Sequence, residues 1–138
     1  MLIIIPGEPC AQGRPRFSTA GGYVKAYDPA KSRNYKAFVK LITQEEMKKQ
    51  GWRYTELPIR VRIIAYMGVP ASKSKKFKQA AILGEERPAK KPDVDNIFKS
   101  VTDAMSGIAY KDDKQIVSAS IEKFYSDVPH TEIIIELL

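Results

Sequence analysis

The stretch DVDNIFKSVTDAMSG, residues 93–107, decides how the chain is organised. Val94, Ile97, Phe98, Val101 and Met105 recur at helical spacing and form one apolar face. Asp95, Lys99 and Asp103 make an i, i+4, i+8 row on another side. Asp93 stands where a helix cap belongs and Gly107 where a helix stops, so the spacing predicts a helix over Val94–Ser106. Just beyond it, Val117, Ala119 and Ile121 alternate with Ser118, Ser120 and Glu122, the period of a half-buried strand. A helix and a strand that each bury one face are the parts of a layered domain.

Working outward, Leu2–Ile5 reads as a short buried strand ended by Pro6-Gly7. The segment Gly7–Phe17 follows, where glycines and prolines oppose regular structure and Arg14 and Arg16 sit on a stiffened backbone. Asp28-Pro29 is a helix start, Tyr35, Phe38, Ile42 and Glu46 keep helical spacing, and Gly51 terminates. Ile59, Val61, Ile63 and Ala65 predict a strand from Pro58 to about Gly68. Within irregular residues 68–92, Ser72 is expected to cap a short helix over Lys73–Leu83, closed by Gly84. Ile133–Leu137 is the last strand, with His130 in the turn before it. The order β-α-β-(short α)-α-β-β predicts an α+β fold, a mixed β-sheet packed with two main helices in a single domain, 1–138.

Composition narrows the function. The 138 residues carry a net charge of +7, unevenly spread. Residues 1–92 hold 19 Lys/Arg against 7 Asp/Glu, and residues 93–138 hold 4 against 9. A cationic body beside an acidic focus suits a protein that attracts a polyanion and cuts it with a carboxylate-held metal. One cysteine, Cys10, and one histidine, His130, exclude an internal disulfide and a Cys/His zinc cluster. A metal here must be held by oxygen, which favours Mg²⁺, with Mn²⁺ as a substitute. The N-terminal apolar run is too short for a signal peptide or a membrane span, so a cytoplasmic protein, nucleoid-associated when on DNA, is expected.

The acidic focus begins with Lys90-Lys91-Pro92-Asp93-Val94-Asp95-Asn96-Ile97-Phe98-Lys99. Two carboxylates two residues apart repel one another, and a hard divalent cation between them offsets that. Lys99, one turn after Asp95, is placed to orient that carboxylate or to contact phosphate. The plainer alternative is that Asp93 caps the helix while Asp95 pairs with Lys99 and Lys99 with Asp103. A second acidic pair, Asp112-Asp113, follows the helix. The helix spans roughly 20 Å at 1.5 Å per residue. Residues 108–113, if extended, cover about as much, so they are expected to run back to its start, next to Asp93 and Asp95. In an uninterrupted strand Asp113 shares the face of Gln115, Val117, Ala119 and Ile121, while Asp112 points away with Lys114, Ser118 and Ser120. Arg14, Arg16, Lys73, Lys75, Lys76, Lys78, Lys90 and Lys91 are the candidate phosphate contacts.

Together these motifs resemble the RusA family of Holliday-junction resolvases, in the variant of Gram-positive bacteria and their phages. The resemblance runs from Gly7–Arg16 through Lys90–Lys99 and Asp103-Ala104 to Tyr110-Lys111-Asp112-Asp113-x-Gln115-Ile116-Val117, most of the chain. It implies a homodimer that binds four-way (branched) DNA junctions and cuts two strands symmetrically with Mg²⁺. It also implies catalytic aspartates at Asp93, Asp95 and Asp113 and a catalytic lysine at Lys99. The N-terminal loop departs from the best-studied branch, with Gly-Arg-Pro-Arg at residues 13–16 where that branch has Pro-Pro-Ser-x-Asn. Two other readings fit the composition: a branched-DNA-binding module without catalysis, and a metal-dependent nuclease acting on flaps, forks or RNA.

Overall fold

The structure is a computed structural model that describes residues 1–12, 16–18, 22, 25–27 and 30–138; Arg14 and the Asp28-Pro29 helix start lie outside the described residues. The main sheet has four strands, β1 (Leu2–Pro6), β4 (Ile59–Gly68), β5 (Ile116–Ser126) and β6 (His130–Leu137), in the order β1-β6-β4-β5. β4 pairs with β5 in parallel, while the β1–β6 and β4–β6 pairs are antiparallel, so the sheet is mixed. Two short strands, β2 (Arg16–Ser18) and β3 (Lys25–Tyr27), form a separate ribbon. Arg16 and Phe17 thus open a strand rather than closing an irregular loop, because their backbone finds an antiparallel partner at Ala26 and Tyr27.

The helices are α1 (Ala30–Gln50), α2 (Lys75–Ile82) and α3 (Val94–Met105). α1 ends at Gly51, whose φ of 70° is the left-handed turn glycine allows. α2 is capped by Ser74, whose hydroxyl accepts from the Phe77 N–H at 3.1 Å, not by Ser72. The helix begins two residues later than its lysines suggest, because Ser74 is the serine three positions before an unpaired helical N–H.

One face of the sheet carries the core. Ile3 and Ile5 of β1, Val61 and Ile63 of β4, and Ile133 and Ile135 of β6 are buried against Val39 of α1 and Val101 and Met105 of α3. Each such side chain contributes about 1.5–3 kcal/mol by leaving water. That burial ties α3 to the sheet along Ile97, Val101 and Met105 and fixes which side of the helix remains outside.

β5 corrects the strand-parity expectation. A 3₁₀ turn over Asp113–Gln115 interrupts the chain before β5 begins. The register against β4 then slips, Ile59 pairing with Ile116 but Arg60 with Ser118, so Val117 is an extra residue and is 61% exposed. Val117 and Ala119 are exposed on this edge strand, while Ile116 and Ile121 pack on the core. His130 is the first residue of β6 rather than a turn residue, and its ring stacks on Tyr66 at 4.4 Å.

Candidate active site

The start of α3 is set by the loop before it. Lys123 of β5 donates its ammonium to the carbonyls of Lys90 (2.6 Å) and Pro92 (3.0 Å), across a cis Lys91–Pro92 bond. Arg87 in turn donates to the Lys123 carbonyl and lies 3.6 Å from the Phe124 ring centroid. These two cations pin the loop from β5. No local pattern marks them, because strand pairing alone brings residue 123 beside residue 90.

Asp93 occupies the N-cap position with extended backbone, yet its side chain makes no capping hydrogen bond. Asp95 sits in the first turn. Both are exposed, and neither carboxylate has a hydrogen-bond or ion-pair partner among the described residues. The helix N-terminus favours negative charge here, so two carboxylates are kept in place with their oxygens unused. Beside them lies a cleft of about 570 Å³ lined by Cys10, Gln12, Lys31, Lys91, Asp93 and Asn96, among others. Gln12 is fastened to α3 by its N–H, which donates to the Asn96 carbonyl at 3.0 Å. Cys10 is buried, and burial pushes its thiol pKa up, against a smaller opposing effect of Lys31.

One to two turns along α3 the side chains are engaged. Lys99 is 3.3 Å from Asp103, and Asp103 also takes Lys36 of α1 at 3.7 Å. Of the two ion pairs in the plain helix-surface reading, the Lys99–Asp103 pair forms, while no ion pair joins Asp95 to Lys99. Asp113 lies against this region. The fully buried Tyr110 places its hydroxyl 3.1 Å from Asp113 Oδ1 and 3.1 Å from the Thr102 carbonyl. Partial burial raises the Asp113 pKa, the Tyr110 hydrogen bond opposes that, Asp103 raises it further and Lys99 lowers it. Burial, and then the neighbouring Asp113 carboxylate, push the Tyr110 phenol pKa far up, which keeps it a proton donor.

Lys99, Asp103 and Asp113 are thus brought together, while Asp93, Asp95 and Asp113 do not form a ready cluster among the described residues. After α3 the Tyr110 backbone stays beside Ser106 and Gly107, and its side chain reaches back so that the hydroxyl meets the Thr102 carbonyl and Asp113. At 1.5 Å per residue, Thr102 lies about 10 Å along the axis from Asp95. Among the described residues no three His, Cys, Asp or Glu side chains form a ready metal cage. The donor chemistry still suits a hard cation: exposed carboxylates with unused oxygens, and no competing sulfur or imidazole. Mg²⁺ is commonly held by one or two carboxylates completed by substrate phosphate rather than by an all-protein cage.

Asp112 is spent on structure. Its carboxylate accepts from the Lys114 N–H at 2.9 Å, and its own N–H donates to the Gln115 side chain at 2.8 Å, a reciprocal cap on the 3₁₀ turn. Lys73, Lys75, Lys76, Lys90 and Lys91 are all exposed. Lys73 lies over Phe77 at 4.9 Å and Lys90 over Tyr125 at 5.9 Å, and those two rings meet edge-on at 5.8 Å. The two basic segments therefore flank one aromatic cluster. Arg16 lies in β2, and only its backbone is among the described parts.

The chain thus carries an exposed acidic helix start, with a lysine one turn on, on a basic α+β domain. Residues 6–136 match the family described as Endodeoxyribonuclease RusA. The chain is also 42% identical over 131 residues to the uncharacterized protein YqaN of Bacillus subtilis (strain 168), covering 94% of this chain and 90% of that one. The protein belongs to the RusA endodeoxyribonuclease family, and its α+β fold agrees with that membership. No helix among the described residues is long and apolar enough to cross a membrane.

Proposed function

We propose that this protein is a Mg²⁺-dependent structure-specific endonuclease that resolves four-way DNA junctions by symmetric phosphodiester hydrolysis. Family membership supports nuclease action on DNA. The observation that carries the site assignment is the pair of exposed, unpartnered carboxylates on Asp93 and Asp95 at the start of α3. Asp93, Asp95 and Asp113 would hold one or two Mg²⁺ ions, completed by substrate phosphate, whose chemistry is to lower the pKa of a water and neutralise charge on the phosphate. Lys99 lies between the two acidic groups and supplies positive charge where the leaving oxygen becomes anionic. Asp103 keeps that ammonium in position until phosphate arrives. Lys73, Lys75, Lys76, Lys90 and Lys91, with Arg14 and Arg16, hold phosphates in a sequence-independent field.

Each chain has one acidic focus, and a four-way junction must be cut at two points related by a two-fold axis. A symmetric homodimer supplies both. The test is a panel of end-labelled substrates, a four-way junction, a flap, a fork, linear duplex and RNA, incubated with and without Mg²⁺. Paired, ligatable nicks in the junction are expected, with little cutting of the others. Preferential cutting of flaps, forks or RNA would replace the junction reading, and binding without cutting would leave only a DNA-binding module.

A further inference from the structure

The hydrogen bonds around Tyr110 go further than the metal assignment requires. Its ring is fully buried, and its hydroxyl has one proton for two acceptors, the Thr102 carbonyl and Asp113 Oδ1, each at 3.1 Å. The Thr102 carbonyl already accepts the Ser106 N–H at 2.9 Å, so it is satisfied without the phenol. A charged carboxylate is also the stronger acceptor. The proton therefore goes to Asp113.

The backbone carrying both residues is anchored to match. Gln115, buried behind the turn, donates its amide to the carbonyls of Thr55 (2.9 Å) and Leu57 (3.0 Å) while it accepts from Asp112. The Lys111 N–H also donates to the Thr55 carbonyl, at 3.2 Å, and Trp52 donates to the Ala109 carbonyl at 3.0 Å. An acid meant only to stay solvated needs none of this. An acid that must meet a cation at a fixed place does, since groups that orient a metal ligand act through such hydrogen bonds.

We propose that Tyr110 is a positioning residue: its buried hydroxyl fixes Asp113 Oδ1 and leaves Oδ2 as the donor to a divalent cation. This rests on the assignment of Asp113 to the metal site. Asp113 Oδ2 makes no hydrogen bond or ion pair among the described residues, so the anchor occupies one oxygen and spares the other.

The test is direct Mn²⁺ titration of the full-length protein without DNA, followed by paramagnetic resonance. It uses wild type, Tyr110→Phe, Asp113→Asn, and 4-fluorophenylalanine placed at 110. The fluorine fills the hydroxyl's space but donates no proton, so the core stays packed if the smaller Phe leaves it unstable. Loss of such an outer partner weakens metal binding by roughly tenfold, and that loss is expected for both Tyr110 substitutions. Cleavage should recover as Mn²⁺ is raised. A purely packing role predicts a lower Tm with Mn²⁺ affinity unchanged, or full rescue by 4-fluorophenylalanine; either result overturns the proposal. If Asp113→Asn loses Mn²⁺ affinity while both Tyr110 substitutions bind as wild type, the metal assignment stands and this proposal alone falls. If Asp113→Asn itself binds Mn²⁺ as wild type, the assignment fails and takes the proposal with it.

Discussion

At the start of α3, Asp93 and Asp95 are exposed and bonded to no described residue, whereas one to two turns on Asp103 holds both Lys99 and Lys36, and Asp113 leans on Tyr110. The same helix thus presents one acidic region left open and another compensated from within. On the proposed reading, that difference is where function and scaffold divide. Asp93 and Asp95 gain only the field of the helix N-terminus, about 0.3–1 kcal/mol each, and on that reading their free oxygens await a ligand. A paired carboxylate contributes a little to stability and, more importantly, keeps a lysine in one place.

The sharpest way to break this contrast is to remove charge from the open end. Asp95→Asn is expected to reduce Mg²⁺-dependent junction cleavage by at least ~100-fold, since each lost metal contact withdraws several kcal/mol from the transition state. Junction binding should be unchanged or tighter, because a carboxylate facing phosphate repels it. Gel-shift and cleavage assays on one preparation would read both, and near-wild-type cutting would end the metal-site assignment.

The adjacent acids Asp112 and Asp113 carry the same contrast on a finer scale. Asp113→Asn should cut poorly while remaining folded. Asp112→Ala should lose about 0.5–2 kcal/mol of stability, the ordinary cost of a removed cap, yet cut well. Single-turnover cleavage together with urea unfolding separates the two. The reverse pattern would move the third ligand to Asp112.

Asp103→Asn tests the compensated region. Lys99 and Lys36 lose a shared partner, and the exposed Lys99 ammonium loses an i,i+4 pair worth about 0.3–0.5 kcal/mol, so cleavage is expected to drop only about two- to fivefold. A loss as large as that of Asp95→Asn would make Asp103 a ligand in its own right and erase the division along α3.

Much of this was legible in the sequence, and the failures have physical causes. Period-3.6 patterns located α1 and α3 and period-2 patterns located β4 and β5, because burial on one face leaves its mark residue by residue, while short apolar runs marked β1 and β6. The family's motif drew attention to the start of α3 and to the second acidic pair for the same local reason. What could not be read was set by partners distant in the chain. Ser74 rather than Ser72 caps α2, its hydroxyl accepting from the N–H of Phe77, whose ring meets Tyr125 of β5. The extra residue at Val117 and the 3₁₀ turn are consequences of pairing with β4, and they undid the parity argument for Asp113. Lys123 looks like any strand lysine until the sheet places it under the loop before α3.

The smallest expected effect concerns stability and pH. Burial, Asp103 and Asp112 raise the Asp113 pKa in the folded chain, against the opposing pull of Tyr110 and Lys99. Between its unfolded and folded pKa values the native state therefore binds more protons than the unfolded one, and stability falls as pH rises through that window. Above the folded pKa both states are ionised and the full penalty remains. In metal-free buffer Asp113→Asn should consequently be slightly more stable than wild type at neutral pH, since the amide oxygen still accepts from Tyr110 and the charge is gone. The gap should narrow as the pH falls past the folded pKa and Asp113 itself becomes neutral. Adding Mg²⁺ should reverse the order, because a cation that binds the native state stabilises wild type according to its concentration and has lost a ligand in the variant. Urea unfolding of both proteins at neutral and acid pH, with chelator and then with Mg²⁺, measures all three. A variant less stable than wild type in chelator, with a gap that ignores pH, would mean that the Asp113 charge is a structural asset, and the compensated region of α3 would then extend to the acid assigned here to the metal.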